Sequence, residues 1–481
     1  MFKGVGYHSI AKIAVVLAAY VLHFLLGKML SLAEYGVVGT IISFCNFYYM
    51  FLTNGARQAI SKSISSEKYN AGEVLKKGFV FQIIFGIALS LLNFVLAPIF
   101  AEQFGDPSLT GYFRQLSLLI LATGVYFALT GGLNGAKLFL AEAIVTIVYP
   151  ILRLSSVPLA YVFKSDKPSG VIWGFTLASV LSALLTCFFL RRSDVLTKKR
   201  ENAQTLTYKK IAKSSVEFIS FFAAITLVLN MDTFFLQYVR KDMELTGLYT
   251  GVHTFSLVPY YLVSAFYLVI LPYVSEKWTL GDKAGVAELV KKNCNILYML
   301  ILPVVVLISL TAKPLLVSFY DSGYESAGSA LSLLCFGTFL LSFYAMLSVV
   351  LNGIGKKKFS IILSAVVLLI DIPLLYFLIP HLKLIGAALA TTISAFVGCS
   401  ASYIELRRNL GGLSSPKILA KMAGVIAVCA VACIIGMKLF TFTNLVQIML
   451  FYIVLGIIFV FCFAAFKVVD INPLVKKILK K

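Results

Sequence analysis

Long apolar runs, one after another along the chain, decide which solvent it folds in. A helix needs about 20 apolar residues to cross the hydrocarbon core of a bilayer. We place such runs at Ile10–Leu30, Tyr35–Thr53, Gly78–Phe100, Gln115–Leu133, Leu140–Phe163, Ser169–Leu190 and Val216–Val239. They continue at Gly247–Leu271, Asn293–Thr311, Gly328–Val350, Phe359–Pro380, Ile385–Ile404, Ile418–Phe440 and Leu445–Phe466. Lipid leaves no water for bare backbone groups, so each run must be a helix. The expectation is an all-α polytopic membrane protein with about 14 transmembrane helices. Only 13% of the residues are charged, against about 25% in a soluble protein.

The net charge is +21, which by itself could suggest nucleic acid. The basic residues instead sit in short clusters between apolar runs, mostly in alternate connectors. That pattern marks the cytoplasmic side of a polytopic membrane protein. It places both termini in the cytoplasm of a multi-pass protein of the cell's inner (plasma) membrane, and no nucleic-acid partner is expected. The first run reads as a retained membrane helix, because no small-residue cleavage site follows it. The basic connector Arg191–Lys213 reads as a linker against anionic headgroups, or as a docking site for a cytosolic partner. The eight cysteines lie in or beside apolar runs with no histidine grouped near them, so neither a disulfide nor a metal is expected.

Two echoes suggest a duplication. "LNGAKLF" (Leu133–Phe139) follows the fourth run and "LNGIGKKKF" (Leu351–Phe359) the tenth. "AEYGVVGT" (Ala33–Thr40) opens the second run and "GLYTGVHT" (Gly247–Thr254) the eighth. Both pair a run with the sixth one after it. Six is even, so the two copies share an orientation, as in transporters whose site lies between two parallel bundles. The expected domains are an N-terminal six-helix bundle over 1–190 and a basic linker over 191–215. A second six-helix bundle over 216–404 follows, then two extra helices and a basic tail over 405–481.

Longer segments carry a family resemblance. "LAEYGVVGTIISFCNFYYMFLTNGARQAISKSIS" (Leu32–Ser65) and "LNGAKLFLAEAIVTIVYPILRL" (Leu133–Leu154) resemble the polysaccharide and lipid-linked oligosaccharide flippases. "LPYVSEKWTLGDKAGVAELVKKN" (Leu271–Asn293), Leu302–Leu331 and "IPHLKLIGAALATTIS" (Ile379–Ser394) are similar too. The resemblance implies the multidrug/oligosaccharidyl-lipid/polysaccharide exporter fold, with the polysaccharide branch nearest. The fourteen-span form resembles lipid II flippases, but the first run carries Lys12, His23 and Lys28 where those have an arginine cluster.

Polar groups inside the bilayer are costly and so carry information. Arg153 lies mid-run in the fifth span and Arg57 closes the second. Asp232, with Asn230 beside it, lies in the seventh and Asp371 in the eleventh, while Glu142 and Glu217 lie nearer span ends. His23 is on the first span. His253 shares the eighth with Pro259, Tyr260, Tyr261 and Tyr267. Arg57, Arg153, His23 and His253 are candidates to hold an anionic cargo, and Tyr260 and Tyr261 to stack on sugars. Against this, Arg153 could pair with a carboxylate, Arg57 could snorkel, and the tyrosines could form an interfacial belt. Asp232, Asp371 and Asn230 are candidates for coupling to a proton or sodium ion.

No large external connector or catalytic grouping of acids appears, and Gly353-x-Gly355 follows a membrane helix rather than a strand. An enzyme is not expected, and no cofactor either. The expected function is a flippase that moves a polyprenyl-diphosphate-linked oligosaccharide from the cytoplasmic to the outer leaflet by alternating access. The alternatives are a lipid II flippase and a multidrug or cation antiporter of the same superfamily. Expected partners are the lipid-linked oligosaccharide, membrane lipids, and the glycosyltransferases or polymerase of polysaccharide assembly.

Overall fold

The computed structural model describes residues 2–66, 68–193, 203–413, 416–440, 442 and 444–465. The middle of the 191–215 linker and the basic tail lie outside the described residues, as do the side chains of residues 2–10, 220–222 and 265–269, Tyr267 among them. The described chain is helical, with no strand among the described residues.

The elements follow in order. They are α1 (Phe2–Met29), α2 (Leu32–Leu52), a π-helical turn (Thr53–Arg57), α3 (Gln58–Ser65), α4 (Ala71–Gln103), α5 (Leu109–Gly135) and α6 (Phe139–Arg153). Then come α7 (Ser156–Val162), α8 (Lys167–Arg192), α9 (Tyr208–Arg240), α10 (Met243–Thr279), α11 (Lys283–Leu310) and α12 (Ala312–Phe319). After a 3-10 turn at Ser322–Ala327 come α13 (Gly328–Gly353), α14 (Lys357–Leu410), α15 (Pro416–Leu439) and α16 (Leu445–Ala465). By length and apolarity, 10 helical stretches among the described residues can cross a bilayer, or 11 when the bent α9 is one span. The larger expected number requires α14 to count twice, at its break at Lys383, and α10 and α16 to be added.

Polarity runs inside out, as lipid demands. Ile84, Val95, Leu184, Phe188, Leu369 and Phe461 are exposed. Gln82, Asn93, Asp232, Gln237 and Asp371 are buried. The buried amide of Asn93 shows how the inside is satisfied. It donates to Phe113 O at 2.6 Å and Ser117 Oγ at 2.8 Å, and accepts from the Tyr48 hydroxyl at 3.0 Å. This clamps α4 to α5 and α2.

The chain forms two compact units. The first comprises 1–250 and 372–383, the second 251–371 and 384–481. In the first, α5 packs along α4 and α8, α6 along α1 and α8, and α9 along α2. In the second, α11 packs against α13 and α15, and α15 against α16.

Local signals set the helix ends. Ser31 and Glu34 form a reciprocal capping box, with Ser31 N–H to Glu34 Oε2 at 2.8 Å and Glu34 N–H to Ser31 Oγ at 3.3 Å. The two Leu-Asn-Gly segments make the same turn. After α5, the N–H groups of Ala136, Lys137 and Leu138 donate to Gly132, Asn134 and Leu133. After α13, those of Ile354, Gly355 and Lys356 donate to Val350, Asn352 and Leu351. The left-handed residue falls at Lys137 (φ 61°) in one and Gly355 (φ 83°) in the other, at corresponding places.

The second echo is a contact. Gly36 of α2 lies against the Met243 carbonyl, and Gly247 of α10 against the Leu32 carbonyl. A β-carbon on either glycine would overlap that backbone. The two glycine-bearing segments therefore cross with their main chains touching.

Candidate functional site

The first unit holds two arginines in its span region, and their surroundings differ. Arg57 ends the π-helical turn in "TNGAR", where Gly55 leaves helical geometry (φ −89°, ψ −111°). Such one-turn π insertions break the regular ladder and recur at functional sites. The break turns Arg57 inward, and Gly131 of α5, lacking a side chain, lets the Arg57 backbone approach closely. Arg57 Nη2 donates to Glu142 Oε1 at 3.1 Å and its Nε to Thr130 Oγ1 at 3.2 Å. Glu142 Oε2 accepts from Asn134 Nδ2 at 2.8 Å, and Asn134 Oδ1 from Ser61 Oγ at 2.6 Å. The Glu142 side chain is only 2% exposed, so both carboxylate oxygens need these partners. The network ties α3, α5 and α6 together.

Arg153 sits at the other end of α6, about 16 Å away at 1.5 Å per residue. Its helix stops there and restarts at Ser156, between Pro150 and Pro158. The guanidinium lies over the Phe175 ring of α8, 3.8 Å from its centroid. Among the described residues Arg153 has no acidic partner, and its buried Nε has no hydrogen-bond partner. The buried Tyr149 hydroxyl is also without one, as are Ser156 Oγ and Ser182 Oγ. Tyr149 stacks on Tyr126 with centroids 4.7 Å apart. Tyr49 lies within electrostatic range of both Arg153 and Tyr149, and its hydroxyl meets Thr123 Oγ1 at 3.3 Å, which meets Ser179 Oγ at 3.0 Å. The cation is half-buried on a ring face, with unbonded hydroxyls on its own helix and on the segments beside it, groups that can donate to an anion.

The other expected residues fall as follows. His23 Nδ1 bonds the Tyr35 hydroxyl at 2.7 Å. Asp232 is buried and accepts from the Tyr249 hydroxyl at 2.9 Å and from Thr233 N–H at 2.7 Å. Tyr35 and Tyr249 occupy corresponding places in the two glycine-bearing segments, and each bonds a polar group on the helix before it. Asn230 does not bond Asp232. Its Oδ1 accepts from Asn46 Nδ2 at 2.8 Å, and its Nδ2 donates to Thr226 O. In the second unit Asp371 is buried on α14. His253 is half-buried on α10, its carbonyl accepting from Ser256 Oγ at 2.8 Å. Tyr260 and Tyr261 lie edge to face, 6.1 Å apart.

Sequence reading did not pair Arg57 with Glu142, which are 85 positions apart. The only local signals were an acidic residue in the first turn of α6 and, far from it in sequence, the break-forming "TNG". Nor did it anticipate that the glycine echoes touch.

Comparison with known proteins bears on the whole chain. Residues 25–328 match the polysaccharide biosynthesis protein family. The lipid II flippase MurJ of Bacillus subtilis is 26% identical over 442 residues, covering 82% of this chain and 80% of that protein. A solved structure of the lipid II flippase MurJ in an inward closed conformation superposes with TM-score 0.75, at 17% identity, over 97% of this chain and 99% of that one. An inward-facing multidrug resistance MATE transporter of the MOP superfamily superposes with TM-score 0.71, at 15% identity, over 84% of this chain and 98% of that one. The chain is thus a multi-pass membrane protein with the fold of these MurJ and MATE structures, and it belongs to the polysaccharide biosynthesis protein family.

Proposed function

We propose that the protein flips a polyprenyl-diphosphate-linked oligosaccharide, the repeat unit of a cell-surface polysaccharide, from the cytoplasmic to the outer leaflet. The observation that carries this reading is Arg153, a half-buried cation with a bare Nε and no acidic partner among the described residues. A site for cationic drugs favours carboxylates; this one offers a guanidinium and hydroxyls. Arg153 attracts the diphosphate, and the surrounding tyrosines meet the first sugar. His23, His253, Tyr260 and Tyr261 are further candidates for the cargo's path. The lipid tail stays in the bilayer.

The basic connectors put both termini on the cytoplasmic side of the plasma membrane. In that orientation the Arg57–Glu142 network faces the cytoplasm and the Gly36–Gly247 crossing lies at the outer end. The halves 1–190 and 216–404 rock about one another, with 191–215 as the linker and the last two helices outside the repeat. The enzymes that build and polymerise the repeat unit are the natural partners. Lipid II, the cargo named for the Bacillus subtilis relative, is the second reading, and Arg153 serves its anionic headgroup in the same way.

The test is flipping of defined polyprenyl-diphosphate oligosaccharides by the purified protein in liposomes. Wild type flips them and Arg153→Ala does not; normal flipping by Arg153→Ala at equal folded protein sinks the assignment of the site. Asp232 is proposed to couple transport to a proton or sodium ion, with Asp371 next and Asn230 in a supporting place. Asp232→Asn should remove any dependence of the wild-type rate on those gradients. If wild-type flipping ignores both gradients, the coupling role is withdrawn.

A further inference from the structure

A cavity with polar groups in its lining lies in the first unit, and Arg153 is not among its lining residues. Its volume is about 350 Å³, within the roughly 300–1,000 Å³ of small-ligand pockets. Its lining includes Gln103, Tyr238, Lys241, Tyr376, Phe377 and His381. Three chain reversals build it. α4 ends at Gln103. α9 ends in a left-handed residue, Lys241 (φ 52°), whose methylene stem covers Gly105. α14 breaks at Lys383 (φ 51°), just past Pro380 and His381. Arg240 Nη1 donates to Pro380 O at 3.2 Å and ties two of these walls together. Gln237 bonds Phe104 O at 3.1 Å and fixes the third.

The lining has the chemistry of a site for a charged sugar. Tyr376 and Phe377 are 56% and 67% exposed, so their rings stand at the surface beside the cavity. Their rings stand nearly perpendicular, 83° apart with centroids at 5.8 Å. Aromatic faces of this kind take the apolar face of a pyranose, while hydroxyls and amides take its rim. Among the described residues neither Lys241 nor His381 has an ion pair, and the Gln103 amide bonds no protein group. The nearby carboxylates Glu102 and Asp242 pair with neither; Asp242 instead accepts from Leu245 N–H at 3.0 Å. Residues that merely marked the membrane interface would need no lysine, histidine and amide gathered round a concavity.

We propose that this cavity binds a saccharide carrying an acidic group, rings against Tyr376 and Phe377 and the anion against Lys241 and His381. Its position at the outer end rests on the orientation proposed above, and there it receives the oligosaccharide head as the cargo leaves. The binding chemistry does not rest on that orientation.

The test needs no transport, so failure of the flippase reading and failure of this site are separable. The full-length protein in phosphatidylcholine nanodiscs is titrated with digalacturonate and with maltose, and contact is read by saturation-transfer NMR. Digalacturonate gives ring-proton signals. Tyr376→Ala removes them, and Lys241→Gln weakens binding about tenfold, toward that of maltose. Both side chains are exposed, so the variants stay folded, which thermal unfolding checks. Signals persist in Arg153→Ala. The proposal is overturned if wild type gives no signal, if both cavity variants keep it in full, or if Arg153→Ala alone abolishes it.

Discussion

Arg57 meets one end of α6, through Glu142, and Arg153 lies at the other, and the fold uses them in opposite ways. Around Arg57 every strong group is matched: the guanidinium meets Glu142 and Thr130, and Glu142 meets Asn134. Around Arg153 the fold supplies a ring face and leaves polar atoms bare. A matched buried ion pair holds helices together, and removing one partner strands the other. An unmatched cation contributes little to holding the fold and attracts whatever anion can reach it. The difference separates an arginine that fastens helices from one proposed above to hold cargo, although the sequence writes both as an arginine near a helix break.

The largest expected effect breaks this comparison at Arg153. Arg153→Ala should slow flipping by on the order of a hundredfold, as when one member of a buried charge contact is truncated. Its unfolding temperature should stay near wild type; a fall matching that of Arg57→Ala would show that both arginines are structural. Next comes Arg57→Ala, which strands Glu142 and should cost about 2–3 kcal/mol of stability, tempered because Arg57 is 26% exposed. The double change Arg57→Met with Glu142→Leu should recover most of that loss, measured by denaturation in detergent. Arg153→Lys should reduce flipping about tenfold, since a point charge attracts phosphate without the planar fork. Phe175→Leu removes the ring beneath the guanidinium and should cost about 1 kcal/mol, read as a roughly fivefold change in half-saturation.

The smallest effect extends the series to an exposed pair. Lys277 and Asp282 lie 2.8 Å apart with side chains 41% and 44% exposed. The bond holds the Asp282 carboxyl below its usual range and lifts Lys277 above its own. The Asp282 share of the stability is present above about pH 4 and lost as pH falls further. The Lys277 share is present below about pH 10 and lost as pH rises through the folded value. Lys277→Met should therefore differ slightly from wild type in unfolding temperature at pH 7, and the difference should vanish near pH 2.

What was legible in the sequence was whatever depends on local pattern. Apolar run length gave the membrane class, and the Leu-Asn-Gly repeats gave two turns with the same hydrogen bonds. The mid-bilayer position of Arg153 singled it out because charge there is rare. What was not legible depended on contacts between distant segments. Nothing near Arg57 names Glu142 as its partner, and Asn230 looked like a neighbour of Asp232 but bonds Asn46. A neighbour in sequence points elsewhere on a helix unless it lies three or four residues away. The cavity at His381 is assembled from three chain reversals that share no local signature.

The crossing of Gly36 and Gly247 bears on the membrane itself. Two main chains in direct contact leave no room between them for a file of water. Between those two backbones a hydrated ion finds no passage. A cell that carries many copies of this protein need not lose its electrical potential through such a seam. Replacing either glycine by a larger residue would prop the seam apart. The resulting defect would appear as leakage of small ions before any change in the cargo carried.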